Sequence, residues 1–244
     1  MTETRPKIRV YVDAALSAGQ ELDLRAHANY LANVMRLSTG DQIAVFNGRD
    51  GEWACTLSTV GKRQITAICQ HVSSPQRMPP DLWLCFAPIK KARTDFIVEK
   101  AAELGAARLQ PVFTQYTNSE RLRVDRLQAH AIEAAEQCGG TFVPPVLKPV
   151  KLMQLLDQWP AGRGLVFCDE SLEAQPVHNA LQGQPERPWG VLIGPEGGFS
   201  SQEAEAIRAH PASLPVTLGP RILRADTAAV AALTAWQIQL GDWS

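Results

Sequence analysis

Residues 191–227 read VLIGPEGGFSSQEAEAIRAHPASLPVTLGPRILRADT, and their reading decides the fold. Val191-Leu192-Ile193 is a short apolar run that predicts the end of a buried strand. It breaks into Gly194-Pro195-Glu196-Gly197-Gly198. Ser200, with Glu203 three residues on, predicts a capping box that opens a helix. A second strand-like run, 214–218, ends the same way in Gly219-Pro220. Arg221 to Thr227 then leads into a long helix. Two strands that end in Gly-Pro loops, each followed by a helix, form an α/β ligand site. Ligands in such sheets sit beyond the carboxyl ends of the strands.

The loop glycines permit positive φ and close backbone approach, because they carry no Cβ. A tight strand-to-helix turn is the plain alternative. A phosphate-binding loop would end in Gly-Lys-Ser/Thr, which this one does not. Glu196 would also repel a polyanion, so a neutral or cationic ligand suits the loop better.

Outward from this stretch, residues 81–244 alternate strand and helix. Strands are expected at 82–87, 109–113 and 165–168. Helices are expected at 93–104, 121–138, 152–159, 177–181 and 228–240. That alternation predicts a mostly parallel sheet with helices on both faces. Residues 1–72 read differently. Strands are expected at 7–12, 42–46, 52–60 and 64–72, with one helix at 25–36 whose apolar face is Ala28, Leu31, Val34 and Met35. Residues 73–80, SSPQRMPP, read as a linker, since their prolines cannot join a sheet ladder. The expected organisation is thus a β-rich domain at 1–72, a linker at 73–80 and an α/β domain at 81–244.

The chain has 244 residues, 45% of them hydrophobic, so a packed core is expected. No run approaches the roughly 18 apolar residues of a membrane span. The start, MTETRPKIRVYV, has no signal-peptide core, and the five cysteines form no CxxC pair. A cytoplasmic protein with reduced thiols and no membrane association is expected. No His spacing suggests a metal site. The 24 basic and 25 acidic side chains leave a net charge of −1, so there is no global nucleic-acid signal. Basic residues do cluster locally, at Arg5-Lys7-Arg9, Lys62-Arg63, Lys90-Lys91-Arg93 and Arg121-Arg123-Arg126. Asp169-Glu170 follows a strand end and is a further candidate to face a ligand.

Five segments in order carry a resemblance. They are HANYLANVMRLSTGDQIAVFNG (27–48), RTDFIVEKAAELG (93–105), AIEAAEQCG (131–139), IGPEGGFS (193–200) and LGPRILRADTA (218–228). Together they resemble the RsmE family, 16S ribosomal RNA uridine N3-methyltransferases of the SPOUT superfamily. The resemblance implies a PUA-like RNA-binding β-barrel followed by a methyltransferase domain whose C-terminal part forms a trefoil knot. It implies S-adenosylmethionine as cofactor and 16S rRNA, within an assembled small ribosomal subunit, as partner. The family's target is uridine 1498 in the decoding region. It also implies a homodimer seated on the last helix, with Leu233 and Trp236 as the expected seam.

Carried onto this chain, the resemblance assigns the cofactor to Leu192, Ile193, Gly194, Glu196, Gly197, Gly198, Leu218, Gly219, Ile222, Leu223, Arg224, Thr227 and Ala228. Thr227 has an alternative role as the cap of the last helix. RNA contact is assigned to Arg5, Lys7, Arg9, Arg36, Lys62, Arg63, Lys90 and Arg93. Arg224 is the expected catalytic residue, orienting the uridine or stabilising the N3 anion. Its alternative role is an ion pair with Asp226 or Glu196. Two stretches depart from the family pattern. Thr114-Gln115-Tyr116 replaces an acidic–arginine pair, and Gly140-Thr141-Phe142 replaces Arg-Asn-Arg, so both lower the charge available to phosphate. Two other classes stay open: a non-catalytic RNA-binding protein with the same fold, and an α/β enzyme for a small nucleotide.

Overall fold

The computed structural model describes residues 6, 8–61, 64–118 and 121–243. The chain divides into two compact units, Met1–Met78 with Ala135–Val143, and Pro79–Ala134 with Pro144–Ser244. In the first unit the strands are β1 (Arg9–Tyr11), β2 (Glu21–Asp23), β3 (Gln42–Phe46), β4 (Glu52–Val60) and β5 (Ile65–Ser74). They form one sheet in the order β1-β3-β4-β5-β2, with β1 parallel to β3 and the other pairs antiparallel. Strand β5 runs into the stretch expected to be linker, because Ser74 pairs with Glu52. Val10, Leu22, Leu31, Ile43, Val45, Leu57 and Ile65 are among the residues that fill the core.

The helix expected at 25–36 is a 3₁₀ turn, Arg25–His27, followed by a π-helix, Asn29–Val34. Met35 N–H reaches back five residues to the Tyr30 carbonyl. That wider turn moves residues three apart off a common face. Leu31 is therefore buried, whereas Val34 and Met35 point to solvent. Arg36 follows at φ 56°, in the left-handed region that stops the helix.

In the second unit the elements are β6 (Leu82–Phe86), α1 (Lys91–Glu103), β7 (Arg108–Phe113), α2 (Val124–Cys138), β8 (Val150–Lys151), α3 (Leu152–Asp157), β9 (Gly164–Cys168), β10 (Gln175–Pro176), α4 (Val177–Leu181), β11 (Trp189–Ile193), α5 (Ser201–Ala209), β12 (Ser213–Thr217) and α6 (Ala225–Leu240). The seven strands run in the order β10-β12-β9-β11-β6-β7-β8, and every pair is parallel. β11 lies between β9 and β6 with all five residues buried, which explains its unbroken apolar run. β9 lies between β11 and β12, so the two Gly-Pro loops leave the same sheet edge on either side of it. Helix α6 packs on β11, β6, α1 and α4, while α3 packs with α5. Leu233 is fully buried and Trp236 is 3% exposed inside this unit, so neither can form the expected dimer seam. The sequence showed α6 to be apolar on several faces. It did not show that its own unit consumes two of them.

The stretch 135–143 joins the first unit for an electrostatic reason. Arg9 Nε donates to Glu52 Oε2 at 2.5 Å, and both side chains are buried. The same guanidinium donates to the carbonyls of Ala135, Glu136 and Gly140, at 2.6, 2.7 and 2.8 Å. It thus reaches carbonyls of the last turn of α2 and of Gly140 just beyond it, where the negative end of the helix favours a cation. Tyr11 N–H adds a bond to Glu136 Oε1 at 2.8 Å. Removing one member of a buried ion pair strands the other. Arg9→Gln is therefore expected to destabilise the first unit by roughly 3–5 kcal/mol, read as an earlier urea midpoint. The double change Arg9→Met with Glu52→Leu should lose clearly less. Equal losses would show that the hydrogen bonds to the α2 end, rather than the lost charge compensation at Glu52, dominate.

Candidate functional site

Three strand ends meet at one cavity of about 300 Å³. β9 contributes Cys168 and the following Asp169-Glu170. The first Gly-Pro loop contributes Ile193, Gly194, Glu196 and Phe199. The second contributes Leu218 and Arg221 to Arg224, and Ala225 and Ala228 of α6 close one wall. Leu172 and Ile222, 40% and 75% exposed, are apolar side chains left open on this wall.

The first loop folds tightly for stated reasons. Gly198 N–H donates to the Pro195 carbonyl at 3.0 Å, and Gly198 sits at φ 70°. A Cβ there would also fall inside the Glu170 carboxylate. At Gly194 a Cβ would come within 2.7 Å of the Phe199 ring, which packs edge-on against Phe167. The expected capping box is present. Ser200 Oγ accepts from Glu203 N–H at 3.3 Å, and Glu203 Oε2 accepts from Ser200 N–H at 3.0 Å. Glu203 Oε1 also accepts from Gln115 N–H at 2.8 Å, so one carboxylate fixes two loops.

Charge is distributed unevenly around the cavity. Arg93 of α1 lies 3.0 Å from Glu196 and 3.8 Å from Asp226. Those are the two acids named as Arg224's alternative partners, and no ion pair between either of them and Arg224 is present among the described residues. Arg224 is exposed on the cavity wall and has no ion-pair partner among the described residues. Arg208 Nε and an Nη hold Asp169 at 2.7 and 3.0 Å. Burial alone would push the Asp169 carboxyl up, but the Arg208 guanidinium and Ser171 outweigh it and hold it below its ordinary value. Glu170 is the cavity carboxylate with no ion pair among the described residues. Burial pushes the Cys168 thiol up to about 12, so it stays protonated at neutral pH and is no nucleophile.

Of the residues assigned to a cofactor, Ile193, Gly194, Glu196, Leu218, Ile222, Leu223, Arg224 and Ala228 line the cavity. Leu192 does not, since its side chain belongs to the packed core. Gly197, Gly198 and Gly219 shape the loops rather than the wall. Gly197 abuts Tyr116, so this uncharged residue serves as packing for the loop. Thr227 does not cap α6. Arg224 is the N-cap residue, and the Asp226 carboxylate takes the Thr227 N–H at 2.9 Å. Phe199, Arg221 and Leu172 also line the cavity and were missed. An aromatic directly after Gly197-Gly198 was the available signal for Phe199.

The residues assigned to RNA scatter. Arg9 is internal to the first unit, as described above, and is withdrawn from any surface. Arg93 is engaged with Glu196 and Asp226. Arg36 is exposed, and so is Lys90, just before α1. Arg5, Lys7, Lys62 and Arg63 lie outside the described residues. Thr141, the middle residue of the stretch that departs from the family's Arg-Asn-Arg, has a packing role, accepting from Arg77 N–H at 2.9 Å with only 4% exposure.

An RNA methyltransferase domain model matches residues 76–237, about two thirds of the chain, and an RNA methyltransferase PUA domain model matches residues 26–68. The chain belongs to the RsmE family of RNA methyltransferases. A Synechocystis ribosomal RNA small subunit methyltransferase E is 31% identical over 212 residues, 85% of this chain and 69% of the relative. A Neisseria gonorrhoeae RsmE, solved bound to S-adenosylmethionine, superposes with a TM-score of 0.85 at 30% identity, covering 97% of this chain and 99% of that one. A Legionella pneumophila methyltransferase, solved with the same cofactor, gives 0.87 at 29% identity and covers 98% and 100%. The cavity lies where the fold places ligands, beyond the carboxyl ends of parallel strands.

The Asp169–Arg208 pair has a pH signature. Its depressed carboxyl contributes stability above the ordinary value of 3.8, and that contribution is lost as pH falls through the folded value. Arg208→Gln should lower stability by roughly 1–3 kcal/mol at neutral pH. Thermal melts of variant and wild type should converge as the pH drops well below 3.8. A gap that is constant with pH would mean that Arg208 acts by packing alone.

Proposed function

We propose that the cavity at the ends of β9, β11 and β12 binds S-adenosylmethionine, and that the protein methylates N3 of uridine 1498 in 16S rRNA. The carrying observation is Arg224, a permanent cation left free on the cavity wall because Arg93 occupies Glu196 and Asp226. The cofactor-bound Neisseria and Legionella relatives support the choice of ligand.

The residues fit that ligand. It has a flat apolar base, a short stem and an amino-acid end with both charges. Ile193, Leu218, Ile222 and Leu223 offer apolar walls, and binding would cover the exposed Ile222. Arg221 and the carboxylates of the wall offer charges of both signs. Gly194 keeps the backbone within reach of the ligand.

The bound cofactor supplies an electrophilic methyl on a sulfonium. The protein's part is orientation and charge. Uridine N3 is a poor nucleophile while it carries its proton. Glu170, the unpaired carboxylate on the wall, takes that proton. Arg224 stabilises the resulting anion and orients the base. The N3 lone pair then takes the methyl as the carbon–sulfur bond breaks, and its electron pair stays with sulfur. Cys168 takes no part, since its thiol remains protonated.

On the same reading the first unit contacts RNA, with Arg36 among its exposed cations, and the substrate is an assembled small subunit. The protein acts as a homodimer whose trefoil knot is formed by the two Gly-Pro loops. Leu233 and Trp236 are buried, so the exposed Ile238 of α6 replaces them as the seam candidate.

Arg224→Ala should lower kcat by roughly 10²–10³ while calorimetric affinity for S-adenosylmethionine changes little. Gly198→Ala should instead weaken cofactor binding, because φ 70° disfavours any side chain and Glu170 already fills the space. Mass mapping of 16S rRNA incubated with enzyme and cofactor reads the product directly. No added methyl, or a methyl elsewhere than N3 of the stated uridine, would sink the reading.

A further inference from the structure

A second cavity, of about 280 Å³, lies in the second unit. Lys91, Thr94, Arg121, Arg123 and Arg126 supply its polar wall, and no acidic residue lines it among the described residues. Two of its four cations are matched. Arg126 pairs with Asp95, and Arg123 pairs with Asp125 at 2.7 Å. Lys91 and Arg121 have no ion-pair partner among the described residues. Unmatched cations facing one concavity focus field and favour an anion. The guanidinium forks suit tetrahedral oxygens, and the Thr94 hydroxyl adds polarity, although it already bonds to Ile89.

The two cavities are linked through one turn of α1. Thr94 lines the basic cavity, and its chain neighbour Arg93 grips Glu196 on the wall of the first. An anion held by Lys91 and Arg121 would therefore bind on the same turn of α1 that reaches the wall of the first cavity through Arg93. In a nucleic-acid chain the anion next to a base is a backbone phosphate.

We propose that this basic cavity is a phosphate subsite that anchors the RNA backbone flanking the target nucleotide, with Lys91 and Arg121 as the binding cations. This rests on the methyltransferase reading. It shifts part of the RNA grip onto the methyltransferase unit. There it stands in for Arg9, which is buried, and Arg93, which is engaged. A phosphate contact adds no sequence information but fixes register, so its loss should weaken binding for every sequence alike.

The test uses the full-length protein with Lys91→Ala and Arg121→Ala combined. Neither residue touches the cofactor cavity. Affinity for a single-stranded oligoribonucleotide spanning the target uridine is measured by fluorescence anisotropy across a salt series. Each phosphate contact on a single strand contributes roughly 0.7 to the slope of log affinity against log salt. The variant should show a slope shallower by about that amount. Its affinity for S-adenosylmethionine and its melting temperature should match those of wild type. The pair Lys148→Ala with Lys151→Ala removes the same charge elsewhere and should leave the slope in place. An unchanged slope in the Lys91/Arg121 variant overturns the proposal. So does an equal drop in the Lys148/Lys151 control, which would mean bulk charge. Loss of cofactor affinity in the variant also overturns it, since that is a folding effect. Uridine monophosphate is the second probe. If it loses as much affinity as the oligonucleotide, the cavity serves a free nucleotide, and the assignment to an RNA chain fails. Methylation by wild type is scored separately. A shallower variant slope with no rRNA methylation leaves the subsite standing and removes the methyltransferase reading. Methylation with an unchanged slope does the reverse.

Discussion

One guanidinium holds the candidate site in shape. Arg93 comes from the first turn of α1, Glu196 from the loop after β11, and Asp226 from the first turn of α6. Three segments far apart in sequence are thereby fixed at a single point. The contribution to stability is small, because Arg93 and Glu196 are 29% and 42% exposed and such pairs contribute about 0–1 kcal/mol. Its importance is geometric. Glu196 and Asp226 are engaged by Arg93, and Arg224 has no ion-pair partner among the described residues, so its charge is available to whatever enters the cavity.

Much of this fold was legible in residue order. The capping box at Ser200 and Glu203, strands β3 and β4, and helix α4 are set by local rules, and the structure reproduces them. Parallel pairing follows from strand–helix alternation, since parallel strands need long crossovers. What escaped were features fixed by tertiary geometry. The π-helix at Asn29–Val34 shares the apolar spacing of an α-helix, and only the i→i+5 bond to Tyr30 separates the two. The two-residue strands β8 and β10 are too short for any period to register. The assignment of 135–143 to the first unit depends on Arg9, whose partners lie 126 to 131 positions away.

The site shows the same division. Loop residues whose role is backbone-driven, such as Gly194 and Gly198, were readable, because glycine beside proline has few explanations. Gly198 does adopt the positive φ that its position suggested. Charged residues were harder to place. Arg9, Arg93 and Arg224 look alike in sequence, each a basic residue in a plausible cluster. The first is sealed on Glu52, the second bridges two carboxylates, and only the third is free. An arginine's role depends on which carboxylates reach it first, and that is a property of the folded arrangement.

The same reasoning bears on how a chain of net charge −1 can handle a polyanion. Near-neutral totals conceal local imbalance. Several acids of the second unit are matched by cations, as Asp169 is by Arg208, Asp95 by Arg126, and Glu196 and Asp226 by Arg93. Each such pair contributes little field at a distance, while an unmatched Lys91, Arg121 or Arg224 contributes a full charge. The electrostatic character of this unit is therefore set by its leftovers. Lys91 and Arg121 line one cavity and Arg224 the other, so a near-neutral composition can hide a concavity whose charged lining, among the described residues, is all cationic, as it is at Lys91 and Arg121.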